Sequence, residues 1–318
     1  MKIIKHVINN NQTLLSNLFD RPTKVFVFYR SITTFDCMKI IECPRDAMQG
    51  IEEFIPTEDK VNYLNNLLKV GFDTLDFGSF VSPKTIPQMR DTADVLSKLD
   101  LDSSKSKLLA IVANIRGAQE AVQFNEIGYL GFPFSISETF QQRNTNKSIQ
   151  EALNELDRIQ QLCVQHKKEL VCYISMGFGN PYGDPYDPEV VSKFTGILHS
   201  LGIRIISLAD TTGVAKPQLI IKLFQELIPA FPDVELGAHF HSIPDQVNEK
   251  LVAAYQSGCK RFDGAIRGFG GCPMAKDELV GNIPTEEIVS YFESKNVNLG
   301  IDRDAFTQAL RASTAIFG

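Results

Sequence analysis

The fold is decided by runs such as Glu235-Leu236-Gly237-Ala238-His239-Phe240-His241, a short apolar segment that ends in two histidines. Most such runs in this chain are continuous, as is typical of parallel strands that are buried on both faces. The runs predict eight strands, at Lys39–Cys43, Thr74–Gly78, Leu108–Ala113, Gly128–Phe132, Leu170–Ser175, Arg204–Ala209, Glu235–His239 and Phe262–Ile266.

Longer amphipathic segments separate these strands. They predict helices near 57–69, 87–98, 117–124, 148–166, 187–200, 216–230, 245–257 and 284–294. An open doubly wound sheet would usually have fewer strands and a glycine-rich first turn, and neither GxGxxG nor a P-loop follows the first strand. The chain is therefore expected to form a single-domain α/β fold, a closed TIM (β/α)₈ barrel.

The two ends of the chain depart from this alternation. Residues 1–37 are rich in Asn and Thr and fit no barrel unit. They are predicted to be an irregular N-terminal extension, either poorly ordered or an artefact of start-codon choice. The barrel domain is expected to span 38–318, with an extra C-terminal helix at Asp302–Phe317 that closes the barrel or contacts a partner subunit.

The composition excludes several classes of protein. With 318 residues and 43% apolar content the chain can bury a large core, and its net charge of -6 argues against a general nucleic-acid or membrane-surface binder. No apolar run is long enough to span a bilayer, and no secretory signal is visible. The six cysteines are scattered, which indicates a reducing compartment, so a cytoplasmic location is expected.

The pair His239 and His241 is the strongest local motif. Side chains two residues apart on a strand point the same way, so both imidazoles can face one ion. The C-terminal end of a barrel strand carries the active site in this fold. The motif therefore predicts two metal ligands, and the alternative is a pair of polar residues in a loop.

Arg45 and Asp46 directly follow the first strand. Asp46 can supply an anionic ligand, and Arg45 can neutralise a developing oxyanion. A surface ion pair is the alternative interpretation of two such neighbours. The barrel fold favours a functional role, because the loops after strands one and seven both lie at the same end of the barrel.

A glycine-rich loop, Gly268-Phe269-Gly270-Gly271-Cys272-Pro273, follows the eighth strand and precedes Asn282. Such a loop can cover the mouth and bring Cys272 near a substrate as a general acid or base. The alternative is a flexible loop with an inert thiol. Cys43, Cys163, Cys172 and Cys259 are interpreted as packing residues.

Four residues form the predicted metal site, namely Asp46, His239, His241 and Asn282. This mixed oxygen and nitrogen set suits an octahedral Mg²⁺ or Mn²⁺ ion better than a structural zinc ion, which favours thiolates. Two coordination positions would remain for water or substrate.

Two more carboxylates, Asp76 and Asp210, come at the ends of strands two and six and should point into the mouth. Each can be a catalytic base, an orienter of a ligand or a helix cap, and for Asp210 a cap or loop brace competes closely with a catalytic role. Lys84 is interpreted as a solvated charge rather than an anion contact.

Between about residues 39 and 290 the chain resembles the 3-hydroxy-3-methylglutaryl-CoA lyases of the DRE-TIM metallolyase superfamily. The motifs that carry this resemblance are, in order, Ile41-Glu42-Cys43-Pro44-Arg45-Asp46-Ala47-Met48-Gln49, Ser79-Phe80-Val81-Ser82-Pro83-Lys84, Pro87-Gln88-Met89, His239-Phe240-His241, Gly268-Phe269-Gly270-Gly271-Cys272-Pro273 and Gly281-Asn282. The Ser79–Lys84 motif and the Gly-Gly-Cys-Pro loop are the most specific to the lyases.

The resemblance implies cleavage of 3-hydroxy-3-methylglutaryl-CoA, a CoA thioester, to acetyl-CoA and acetoacetate, with leucine degradation as the context. It implies the metal ligands already proposed, an enolate-stabilising role for Arg45, and proton transfer by Cys272, assisted by His239. It also implies a homodimer or small homo-oligomer.

Two positions depart from the family. Ala47 replaces a glycine, and Asp76 stands where the lyases carry a catalytic glutamate. The aspartate side chain is shorter than glutamate by one methylene group, which withdraws its carboxylate by about 1.5 Å. A misplacement of that order can cost about 100-fold in rate. Asp76 therefore puts the efficiency and the acyl substrate in question more than the reaction class.

Three alternatives remain from the sequence. The chain can be a lyase of another 3-hydroxyacyl-CoA, or a condensing acyltransferase of the isopropylmalate or homocitrate synthase type. It can also be a catalytically inactive metal-binding barrel. The presence of all the candidate ligands, Arg45 and Cys272 argues against the last.

Overall fold

The computed structural model describes residues 38–271 and 280–318. In these ranges the strands are β1 Lys39–Glu42, β2 Thr74–Ser79, β3 Lys107–Ile111, β4 Ile127–Ser135, β5 Glu169–Ser175, β6 Ile205–Asp210, β7 Glu235–Phe240 and β8 Arg261–Gly264. Each strand pairs in parallel with the next, and β8 pairs with β1 to close the sheet. The closed sheet confirms the predicted (β/α)₈ barrel.

Helices alternate with the strands along the chain. In the described ranges they span Pro44–Met48, Thr57–Val70, Thr92–Leu96, Ile115–Ala121, Glu138–Thr145, Ile149–Gln165, Pro188–Ser200, Pro217–Ala230, Val247–Gln256, Thr285–Ser294, Arg303–Ala312 and Thr314–Phe317, with 3₁₀ turns at Pro87–Met89, Pro244–Gln246 and Ile266–Gly268. Within residues 38–271 and 280–318, no helix has both the length and the apolar character that a bilayer crossing requires. The extension predicted at 1–37 lies outside the described residues.

Two helices were not predicted, Pro44–Met48 and Glu138–Thr145. The first has five residues, too few to show helical periodicity, although its initial proline suits the first helical position. The helix predicted near 87–98 is instead a 3₁₀ turn, Pro87–Met89, followed by the short helix Thr92–Leu96. The predicted C-terminal helix is present as two pieces, Arg303–Ala312 and Thr314–Phe317, that meet at Ser313. The short helix after β1 matters most, because it carries Arg45 and Asp46.

The interior of the barrel has an apolar middle and a charged floor. The middle is a cluster of buried side chains, Leu109, Ile111, Tyr129, Val171, Tyr173 and Ile205. At the N-terminal ends of the strands, Arg261 Nη1 donates to Glu235 Oε1 at 3.2 Å, and Lys39 Nζ donates to Glu235 Oε2 at 2.5 Å. Gly237 leaves room for this floor, since a Cβ there would lie 3.0 Å from Arg261 Cδ. The floor is filled, so the opposite end holds the site.

Candidate metal centre and active site

Arg45 and Asp46 reach the mouth of the barrel on the helix Pro44–Met48. Only 8% and 6% of these residues are exposed. Arg45 Nη1 donates to Asp46 Oδ1 at 2.9 Å and to Gln49 Oε1 at 2.9 Å, and Gln49 Nε2 donates to the same Asp46 oxygen at 2.7 Å. These contacts are buried, so the pair is not the exposed surface ion pair that the sequence left open.

Asp76 lies inside β2, beside a register shift between Asp76 and Gly78. Arg45 Nη2 donates to Asp76 Oδ2 at 2.5 Å, and Arg45 Nε lies 3.2 and 3.1 Å from the two carboxylate oxygens. Burial raises the pKa of Asp76 to about 6, although the charge of Arg45 acts in the opposite direction. A carboxyl group that titrates near neutrality has the property a general base needs. The shorter side chain still contacts Arg45, while its reach towards a substrate stays a prediction.

His239 and His241 stand side by side at the end of β7, with ring centroids 5.3 Å apart. His239 Nδ1 lies 3.2 Å from Asp263 Oδ2, and His241 Nδ1 lies 3.0 Å from the carbonyl oxygen of Thr211. The carbonyl oxygen of Thr211 can only accept, so His241 Nδ1 carries a proton. The carboxylate of Asp263 likewise favours a proton on His239 Nδ1. Burial acts to lower the pKa of His239, but the bond to Asp263 and the charges of Asp263 and Asp46 outweigh it and raise that pKa. A second group that fixes the tautomer in this way is typical of metal-binding histidines.

Asn282 comes to the same place from the segment after β8. Its Nδ2 donates to Asp46 Oδ2 at 2.6 Å and to the carbonyl oxygen of Phe269 at 3.0 Å. Gly270 permits this approach, because a Cβ there would lie 2.6 Å from Asn282 Nδ2, and its φ is +102°. The structure thus brings the predicted ligands Asp46, His241 and Asn282 together.

The donor atoms fit a divalent cation. Among residues 38–271 and 280–318, no group forms a hydrogen bond with the buried His241 Nε2, an arrangement that costs about 1–3 kcal/mol unless a ligand satisfies it. Donor atoms of Asp46, His239 and His241 all lie within 4.8 Å of one another. These groups face each other as ligands of one ion would.

The protonation states of Asp46 and His241 favour the same conclusion. Burial acts to raise the pKa of Asp46, but Arg45 and the two histidines outweigh it and lower that pKa to about 2. Burial, with His239 beside it, lowers the pKa of His241 to about 4. An ionised carboxylate and a neutral imidazole are the forms that bind metal ions.

A second group of donors, Cys43, His239 and Asp263, shares one histidine with the first. Burial raises the pKa of the Cys43 thiol well above its ordinary value, and neighbouring carboxylates add to the effect. The thiolate is the form that binds metals, so a thiol held protonated makes this set the poorer site. Asp263 instead serves as the partner of His239 Nδ1.

Asp210 has contacts that favour the loop-brace interpretation. Its carboxylate accepts from the backbone N–H groups of Val214 and Ala215, at 2.8 and 3.0 Å, and from Lys250 Nζ at 2.8 Å. Lys250 is fully buried and also donates to the carbonyl oxygen of His241 at 2.8 Å. Both Asp210 oxygens are therefore engaged by structure, and its catalytic role stays a prediction.

Cys272, the predicted proton donor, lies outside the described residues. Lys84 is exposed on the segment after β2. The cavity at the mouth of the barrel, which also contains Arg45 and His239, has a largely apolar wall. This wall includes Val81, Ile111, Pro133, Phe140 and Tyr173.

Sequence reasoning missed three polar partners, Gln49, Asp263 and Lys250. Asp263 pairs in register with His239 across β7 and β8, so the inward alternation of β8 could have indicated it. Gln49 was noted in the sequence only as the last residue of the Ile41–Gln49 motif, without a contact assigned to it. No local pattern marks Lys250, a charged residue inside a helix, as a buried contact of the site.

The chain is similar to several known proteins. The family model described as HMGL-like matches residues 38–312. A hydroxymethylglutaryl-CoA lyase of Bacillus subtilis is 33% identical over 270 residues, covering 84% of this chain and 89% of that protein. A 3-hydroxy-3-isohexenylglutaryl-CoA/hydroxy-methylglutaryl-CoA lyase of Pseudomonas aeruginosa is 30% identical over 275 residues, covering 86% of this chain and 91% of that protein.

A solved structure shows the same fold. It is an HMG-CoA lyase from Acinetobacter baumannii in complex with coenzyme A and 3-methylmalate, with a TM-score of 0.82 and 29% identity. The match covers 90% of this chain and 93% of that one.

Proposed function

Because this chain belongs to the HMGL-like family, we propose that it is a divalent-metal-dependent lyase that cleaves 3-hydroxy-3-methylglutaryl-CoA to acetyl-CoA and acetoacetate. The observation that carries the proposal is the buried Nε2 of His241, which has no hydrogen-bond partner in the described part of the chain and lies in one cluster with Asp46 and His239. With Asn282 these residues form an oxygen and nitrogen donor set, which favours Mg²⁺ or Mn²⁺.

The reaction breaks the bond between the carbinol carbon and the methylene group next to the thioester. The bound ion supplies Lewis acidity that lowers the pKa of the tertiary hydroxyl group. The hydroxyl proton passes to a base, for which we propose an Asp76 carboxylate oxygen. The electron pair of the broken bond moves into the thioester, so the products are acetoacetate and the enolate of acetyl-CoA.

Arg45 stabilises the enolate oxygen in this proposal. Its guanidinium is held from two sides by Asp46 and Asp76 and is therefore preorganised, as electrostatic catalysis requires. Cys272 then donates a proton to the enolate carbon, which completes acetyl-CoA. Asp210 and Lys250 hold the loop after β6 and the backbone of His241 in place.

The decisive experiment is a cleavage assay with 3-hydroxy-3-methylglutaryl-CoA after loading with Mg²⁺ or Mn²⁺. Cleavage should be lost in chelator and restored by the metal. Condensation of acetyl-CoA with a 2-oxoacid, without cleavage, would show a synthase instead. Absence of divalent-metal binding would favour an inactive barrel. Leucine degradation, a cytoplasmic location and a small homo-oligomer remain predictions, the last testable by light scattering.

A lyase for a larger 3-substituted substrate is the second candidate. The apolar wall of Val81, Ile111, Pro133 and Phe140 could accept an alkyl group longer than methyl. The Pseudomonas relative is named for an isohexenyl as well as a methyl substrate. A panel of 3-alkyl-3-hydroxyglutaryl-CoA esters would rank the two substrates by kcat/KM.

A further inference from the structure

The last turn of the chain packs on the loop that follows β8. The rings of Phe317 and Phe269 are stacked, with centroids 4.6 Å apart and planes 9° from parallel. Arg267 Nη1 donates to the carbonyl oxygen of Gly318 at 3.0 Å. Two independent contacts therefore join the C-terminal turn to residues 267–269.

Phe269 stands between two glycines, Gly268 and Gly270, in this loop. Gly268 and Gly270 have φ values of +69° and +102°, a region that favours glycine. The carbonyl oxygen of Phe269 accepts from Asn282 Nδ2 at 3.0 Å, and the same amide reaches Asp46 at 2.6 Å. The position of Phe269 thus determines how the amide of Asn282 is turned.

Phe317 also touches the opposite side of the site. With Ile316 it packs against the apolar cluster of Met48, Ile55 and Met89. Met48 ends the helix that carries Arg45 and Asp46. One aromatic ring therefore contacts both the cluster that includes Met48 and the residue whose carbonyl oxygen accepts from Asn282.

We propose that Phe317 is a positioning residue for the metal centre, acting through its stack on Phe269 and its packing on the cluster that includes Met48. It holds in place the helix that carries Asp46 and the carbonyl oxygen of Phe269 that accepts from Asn282 Nδ2. The inference rests on the proposed function only in assuming that the centre binds a divalent metal.

The test is Phe317→Ala, with Mn²⁺ affinity measured by titration calorimetry and backbone hydrogen exchange measured on the metal-free protein. An aromatic stack contributes up to about tenfold in an equilibrium constant beyond its buried area. Mn²⁺ should therefore bind about tenfold more weakly, and the amides of residues 266–271 and 280–282 should exchange faster. Phe317→Tyr keeps the ring and should stay within about twofold of the wild type.

Two further variants keep the test decisive. Leu310→Ala removes an apolar contact of the preceding helix with the main core, and it should lower Tm without changing Mn²⁺ affinity. Phe269→Ala removes the other ring of the stack, which is 39% exposed, and should weaken Mn²⁺ binding as much as Phe317→Ala does. This variant provides the test if Phe317→Ala fails to fold. The double variant should be no weaker than either single one, because both remove the same stack.

The outcomes separate the two hypotheses. Wild-type affinity in Phe269→Ala, or an equal loss in Leu310→Ala, would overturn the positioning role of Phe317 while leaving the lyase proposal intact. A wild-type protein that binds no Mn²⁺ would overturn the proposed metal centre itself.

Discussion

Replacing Asp76 with asparagine should stabilise the metal-free protein at alkaline pH while impairing catalysis. Asp76 is 1% exposed and shares its surroundings with Asp46, so two carboxylates lie on one guanidinium. The neutral amide of an asparagine side chain would relieve their repulsion. Arg45 would keep Asp46 and Gln49, at 2.9 Å each, and would not be left unpaired.

The magnitude follows from the pKa of Asp76, which burial raises from 3.8 to about 6. Between these values the folded chain holds a proton that the unfolded chain has released, so the free energy of unfolding falls as pH rises. The full interval corresponds to about 3 kcal/mol. Asparagine does not titrate. The free energy of unfolding of Asp76→Asn should therefore exceed that of the wild type by about 1 kcal/mol at pH 4.5 and by about 3 kcal/mol at pH 8.

Urea unfolding in chelator, followed by circular dichroism from pH 4.5 to 8, measures this difference. Asp46, whose pKa is about 2, loses its contribution only below this range. The exposed Asp94→Asn is the matched control and should show no such pH dependence. A variant less stable than the wild type at pH 8 would refute the reasoning, because the pairing with Arg45 would then outweigh burial. If Asp76 is the base, turnover of the loaded variant should fall about 10²–10⁴-fold.

Three more substitutions test the assigned roles. His241→Ala removes a nitrogen donor and should weaken Mn²⁺ binding by more than about 100-fold, measured by competition with a chelating dye; unchanged affinity would place the ion elsewhere. Cys272→Ser should lower turnover strongly yet leave Mn²⁺ affinity within about twofold, and a parallel loss of both would contradict a role confined to proton transfer. Lys250→Met leaves the buried carboxylate of Asp210 without its cation and should lower the free energy of unfolding by about 3–5 kcal/mol. Adding Asp210→Asn should recover part of that loss, and a purely additive double variant would argue against the pair.

Much of the architecture was visible in local sequence. All eight strands were predicted near their observed positions, because burial on both faces requires continuous apolar runs. The helix Pro44–Met48 was not predicted, since five residues carry no periodic pattern. The pairs His239–Asp263 and Asp210–Lys250 were also missed, because 24 and 40 residues separate their members.

The sequence by itself determined the barrel, the spacing of His239 and His241 and the set of candidate donors, because strand alternation and residue chemistry are local properties. Only the tertiary structure decided which nitrogen each histidine presents, through Asp263 and the carbonyl of Thr211. It also decided that Asp76 is clamped on Arg45 and that Asp210 is engaged by Lys250. Those properties depend on burial and on partners brought together by closure of the barrel, and no local pattern encodes them.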